Sequence, residues 1–247
     1  MSDTSLEIKT PQNDLLRVNS LGAKIEVSLG GIPLLGSFSR GDGKVGVTHP
    51  CTPIFGPDRK SLYGLSQHGK MRSEVCIVTN TKDGFAVSHD ITDPGYPAGM
   101  KVVQMMSMSD DVFTFEMTHT STGDKEAAVN AGEHCYFDAP EGYIGTKING
   151  QDVTKLIEDN YDGIAIDLEE KNVIKIPGKP EFELSQQGLK KAVVWVGKNP
   201  ETKTIDQTYV CIEPVEDDPF GNFFGSPESM IPSGKSRTVR FSLRINE

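Results

Sequence analysis

The chain has 247 residues with 25 Lys+Arg against 35 Asp+Glu, a net charge of −10, and 36% hydrophobic and 24% charged residues. This is ordinary globular composition, which excludes disordered and low-complexity functions. The acidic excess argues against nucleic acid or an anionic membrane as partner, because phosphate binding needs clustered cations, and no apolar run approaches the roughly 18 residues of a spanning helix.

The opening Met1–Glu7 stretch has no basic segment followed by an apolar one, so the cytoplasm is the expected compartment. Short runs with period-two alternation then follow, separated by the 25 Gly and 15 Pro that punctuate the whole length. In chain order the strand candidates are Ile25–Leu29, Glu74–Thr79, Phe85–His89, Lys101–Met108 and Val112–Thr118. After them come Ile164–Leu168, Val173–Ile176, Ala192–Val196, Thr208–Glu213 and Thr238–Ile245. The alternation is clearest where Phe113, Phe115 and Met117 point one way and Thr114, Glu116 and Thr118 the other, and again in Val239, Phe241, Leu243 and Ile245. Only Val153–Glu158 has helical character. Asp217–Ser233, rich in Pro, Gly and Phe without periodicity, reads as an ordered loop near one end of the fold. The pattern predicts an all-β antiparallel sandwich or barrel formed by residues 1–247 as one domain.

Several motifs fail on context. Gly41-Asp42-Gly43-Lys44-Val45-Gly46 satisfies G-x-G-x-x-G, but Pro50 and Pro53 follow where a dinucleotide site needs a helix, so a glycine hairpin is expected. Gly64-Leu65-Ser66-Gln67-His68-Gly69 places its last glycine one residue too late for a nucleophile elbow. Cys51, Cys76, Cys135 and Cys211 form no CxxC pair. Reduced buried thiols are the expectation, and the even count leaves two disulfides open. The five histidines show no metal-ligand spacing, so no metal is expected, although donors from distant strands could still assemble one.

Three segments place titratable groups in apolar or turn-forming surroundings: Gln67-His68-Gly69-Lys70-Met71-Arg72, Asn130–Phe137 and Tyr209-Val210-Cys211-Ile212-Glu213-Pro214. Read as strands, the second puts His134 on a face with Tyr136 and Asp138, and the third puts Glu213 on a face with Tyr209 and Cys211. Each has a bland reading as well. His134 could be a hydrogen-bonded structural residue, Pro214 could mark a strand leaving the sheet, and Arg72 could be an exposed cation beside Glu74.

Taken in order, these segments resemble the aldose 1-epimerase (galactose mutarotase-like) family, particularly its hexose-6-phosphate (glucose-6-phosphate 1-epimerase) branch. The resemblance rests on His68-Gly69 with Arg72, on Gly132-Glu133-His134-Cys135-Tyr136-Phe137, and on Glu213-Pro214. Pro53-Ile54-Phe55-Gly56, Tyr96-Pro97, Trp195 before Asn199-Pro200, and Ile231-Pro232-Ser233-Gly234 fit as flanking features. It implies a large antiparallel β-sandwich and interconversion of the α and β anomers of a hexose or hexose 6-phosphate. It also implies no cofactor and a monomer or weak dimer. Glu213 would be the general base, His134 the general acid, and His68 a contact near the ring oxygen. Arg72 would hold sugar hydroxyls or a phosphate, and Asp162 sugar hydroxyls. Outside the resemblance itself, His49 is either a compensating substrate contact or a structural residue. The chain departs from the family pattern at Gly163, where an arginine is usual, at Val45–His49 and at Lys70-Met71. Those departures keep open a noncatalytic carbohydrate-binding or regulatory protein on the same fold. Glycoside hydrolysis ranks last, since it needs two well-placed carboxyls and the sequence shows one.

Overall fold

The computed structural model describes residues 4–160, 162–199, 201–202 and 204–246. Residues 1–3 of the opening stretch and Pro200 of the Asn199-Pro200 pair lie outside the described residues. Alternation dictates the pairing of the longest strands. Val112–Ser121 and Ser236–Ile245 run antiparallel with Phe115 opposite Phe241 and Met117 opposite Val239. Their outward faces pair Thr118 with Thr238 through hydroxyls 2.8 Å apart. These strands centre a nine-stranded antiparallel sheet running from Gln151–Asp152 at one edge to Ile77–Asn80 at the other.

A ten-stranded sheet packs against it. From the edge strand Ser5–Lys9 it passes through Leu15–Asn19, Lys24–Leu29 and Ile32–Leu35 to Tyr136–Asp138. Next come Tyr209–Val215, then Gly132–His134, then the edge strand His49–Cys51, while Lys191–Trp195 also pairs with Tyr209–Val215 and carries Ile164–Asp167 beyond it. Leu16, Val18, Ile25 and Val27 of this sheet meet Phe113, Phe115 and Phe241 of the other in one buried cluster. Each such side chain contributes about 1.5–3 kcal/mol by leaving water. This is the large antiparallel all-β sandwich that the alternation and the resemblance imply.

The predicted helix appears as Thr154–Asp159, and all four cysteines are free and buried. Arg40–Lys44 forms the tip of a hairpin between Ser37–Ser39 and Val45–Val47, as the glycine pattern requires. The 217–233 segment is ordered by Arg237, which donates to the carbonyls of Glu228, Ser229 and Met230 and to the Glu216 carboxylate at 2.9 Å. Among the described residues, no helix is long and apolar enough to cross a membrane.

Three local readings change. The strand expected from Glu74 begins only at Ile77, because Met71–Ser73 is a 3-10 turn and Val75 makes one isolated bridge to Leu21. The 130–138 segment is two strands separated at Cys135, whose N–H donates to the Glu133 carbonyl at 3.0 Å. The strand through Glu213 does not leave the sheet at Pro214 but continues to Val215, with Pro214 opposite Ala192. Its ladder to 132–138 is interrupted between Cys211 and Val215, so a residue lacking an N–H fits there.

Candidate active site

The strand Tyr209–Val215 is buried along its whole length, as a central strand must be. Val210 and Ile212 join the core between the sheets, while Glu213 faces the opposite side and lines a cavity of about 1170 Å³. Antiparallel register brings the other floor residues to it: Tyr136 lies opposite Cys211, His134 opposite His49, and Val193 opposite Glu213. Gly132 permits this close approach, because a Cβ there would stand 2.3 Å from the Pro214 carbonyl oxygen and 2.9 Å from Val215 Cα.

On this floor His134 Nε2 stands 3.6 Å from Glu213 Oε1. That is too long for a direct hydrogen bond. The His134 ring is held in a column, stacked on Tyr136 with centroids 4.7 Å apart and on His49 at 4.9 Å, with Trp195 edge-on at 5.9 Å. His49 Nδ1 donates to the Val47 carbonyl at 2.6 Å, which leaves its Nε2 as an acceptor. His68 stands on a turn where its own φ is +66°, a conformation uncommon for a side-chain-bearing residue. Gly69 follows at +67°, where a Cβ would lie 1.9 Å from the Thr52 carbonyl oxygen. The Gly56 N–H donates to His68 Nδ1 at 3.1 Å, so His68 carries its hydrogen on Nε2.

Burial dominates the proton affinities here. It pushes the Glu213 carboxyl well above the ordinary carboxylate range. It pushes His134 well below the ordinary imidazole value, with His49, His68, Arg72 and Arg40 adding to the effect. His68 is lowered by burial and then by Arg72, and His49 falls to about 4, chiefly through burial.

No family model and no curated protein sequence matches the chain. Solved structures do match it in shape. A galactose mutarotase-like protein from Lactobacillus casei ATCC 334 superposes with a TM-score of 0.75 at 13% identity, covering 98% of this chain and 100% of that one. A galactose mutarotase related enzyme from Lactobacillus acidophilus gives 0.74 at 14% identity, covering 100% and 98%. A galactose 1-epimerase from Lactobacillus acidophilus NCFM gives 0.68 at 13% identity, covering 100% and 99%. The chain has the galactose mutarotase-like fold.

In this mutarotase-like fold, His49, His68, Arg72, His134, Asp162 and Glu213 all border the same cavity. Asp162 is exposed, whereas Glu213 and His134 are only 2% and 8% exposed at the floor. Sequence reasoning missed most of the rim. Arg40 is packed 5.0 Å over the Trp195 ring and donates to Asp42 at 2.9 Å. Its hairpin tip is tied across the mutarotase-like sheet, since Asp206 accepts from the Gly41 N–H and from the Tyr209 hydroxyl, each at 2.8 Å. Arg59, over Phe220 at 5.5 Å, and Lys24 and Lys44 also border the cavity. The only sequence signal for Arg40 was its place at the start of a glycine hairpin.

Proposed function

We propose that this protein is an aldose 1-epimerase acting on a hexose that carries an anionic group, most simply a hexose 6-phosphate. The observation that carries the reading is the His134–Glu213 couple, 3.6 Å apart on the floor of a cavity large enough for a sugar phosphate. The anionic substrate is supported by Lys24, Arg40, Lys44, Arg59 and Arg72 around that cavity, in a chain whose net charge is −10.

Anomer exchange needs one proton acceptor and one donor. The acceptor removes the C1 hydroxyl proton, the C1–O5 bond breaks as C1=O forms, and the O5 electron pair takes a proton from the donor. Rotation about C1–C2 and the reverse steps deliver the other anomer. A couple holding one shared proton supplies both functions, with Glu213 as base and His134 as acid or with the proton placed the other way. Either arrangement leaves the couple without net charge, which suits its burial. His68 Nε2–H, 3.2 Å from the Gln67 side-chain amide, turns to hydrogen-bond the ring oxygen without transferring its proton. Arg72 holds hydroxyls or the phosphate from the wall, Asp162 accepts from sugar hydroxyls, and His49 fixes the His134 ring.

Polarimetry of fresh α-glucose, α-galactose and glucose 6-phosphate tests the proposal. The expected result is acceleration over the spontaneous rate, greatest for the phosphate. Spontaneous rates with every sugar, alongside saturable sugar binding by calorimetry, would instead make this a noncatalytic sugar-binding protein.

A further inference from the structure

Two donors on the cavity floor, His134 and Glu213, meet a third of different chemistry, the Cys211 thiol buried beside Tyr136 and Tyr209. His134, Cys211 and Glu213 each offer one ligand atom, and these atoms all lie within 4.8 Å of one another. Cys211 and Glu213 share a strand face through their two-residue spacing, and the antiparallel register carries His134 beside them. In a tetrahedral zinc site, bonds of about 2.0–2.3 Å set neighbouring ligand atoms roughly 3.3–3.6 Å apart. His134 Nε2 and Glu213 Oε1 already meet that spacing at 3.6 Å. Sugar acid–base chemistry uses two of the three donors and gives the Cys211 thiol no work.

His134 Nδ1 and His49 Nε2 are buried with no hydrogen-bond partner among the described residues. His49 spends Nδ1 on the Val47 carbonyl and keeps a lone pair on Nε2, within a ring stacked on His134. The His49 ring thus backs the His134 ring without joining the three ligand atoms.

We propose that this floor binds a divalent transition cation, with Zn²⁺ the best match, through His134, Cys211 and Glu213, the remaining position opening to the cavity. A mixed nitrogen, sulfur and oxygen set suits Zn²⁺ and disfavours Mg²⁺ and Ca²⁺, which take oxygen ligands. On binding, the Cys211 S–H proton passes to solvent and the sulfur electron pair forms the bond to the metal. Glu213 releases any proton it holds in the same way. Because the cation occupies both proton-carrying groups, metal binding and anomer exchange exclude one another. The site does not rest on the sugar reading and is tested without any sugar.

The test uses Co²⁺ as a spectroscopic probe on the full chain, reduced and then freed of reductant. One equivalent is expected to produce tetrahedral visible bands and a thiolate-to-cobalt charge-transfer band, both bleached by one equivalent of Zn²⁺. Cys211→Ser removes the charge-transfer band, while Cys76→Ser, which changes a thiol outside the triad, leaves it. Should Cys211→Ser fail to fold, the size-conserving Glu213→Gln weakens Co²⁺ binding by about tenfold or more. Absence of any cobalt spectrum at stoichiometric metal overturns the proposal. So does a charge-transfer band that persists in Cys211→Ser, or an unchanged affinity in Glu213→Gln.

Discussion

Replacing Glu213 by glutamine keeps the size of the side chain and removes its proton equilibrium. Activity is expected to fall by about 10²–10⁴-fold, the usual contribution of a positioned acid or base, equivalent to about 2.7–5.5 kcal/mol of barrier. Stability moves the other way. Burial holds the Glu213 carboxyl well above its ordinary value, so the folded chain keeps a proton that the unfolded chain has already lost. Between the ordinary and the raised values, native stability declines with increasing pH by about 1.4 kcal/mol per unit. Glutamine carries no such loss. The variant gains nothing near pH 4 and an increasing margin above it, each pH unit of the window raising Tm by roughly 3–6 °C for a chain of this size.

Glu133 provides the comparison. It lies on the same strand as His134 with both carboxyl oxygens buried and unpartnered among the described residues, and burial likewise pushes it up. It does not border the cavity. Glu133→Gln is expected to show the same pH-dependent stabilisation with activity retained. Thermal melts between pH 4 and 8, followed by circular dichroism, are set beside polarimetry of both variants. The reasoning is refuted if Glu213→Gln keeps more than about a tenth of parental activity, or if neither variant gains stability as pH rises.

Three further outcomes are expected. The pH profile of kcat/KM should be a broad plateau with its acid limb below the ordinary imidazole value of 6.5, because burial and the neighbouring His49, His68 and Arg72 oppose a second proton on the couple; an acid limb at or above 6.5 contradicts this. Arg40→Ala should raise KM for a hexose 6-phosphate by about tenfold or more while changing kcat less, since a charge-assisted contact is worth about 1.5–3 kcal/mol; equal effects on phosphorylated and free hexose would remove Arg40 from phosphate binding. Gly132→Ala should destabilise the chain by about 2–4 kcal/mol in urea titrations, because its Cβ would stand 2.3 Å from the Pro214 carbonyl oxygen; a neutral result would mean that the two floor strands separate freely.

The long strands were legible because each exposes one face and buries the other, as in Val112–Ser121 and Ser236–Ile245. Leu15–Asn19 and Phe182–Gln187 escaped notice although both are paired on both sides, since five or six residues give alternation little room to register. Pro214 misled in the other direction, because the gap in the ladder that accommodates it is set by a distant segment. At the site, His134 and Glu213 were legible through their motifs, whereas Arg40 was not. Its position over Trp195 depends on closure between residues 155 places apart, for which local patterning carries no signal.

The cavity floor and its mouth are built from different materials. The floor is a run of central sheet strands whose register the core on their far side enforces. The mouth is a hairpin tip and loops fastened by a handful of side-chain bonds, among them those of Asp206 and Asn199. Insertions and substitutions can therefore accumulate at the entrance without disturbing the floor. Descendants of such a chain can change what the entrance admits while keeping the same floor side chains.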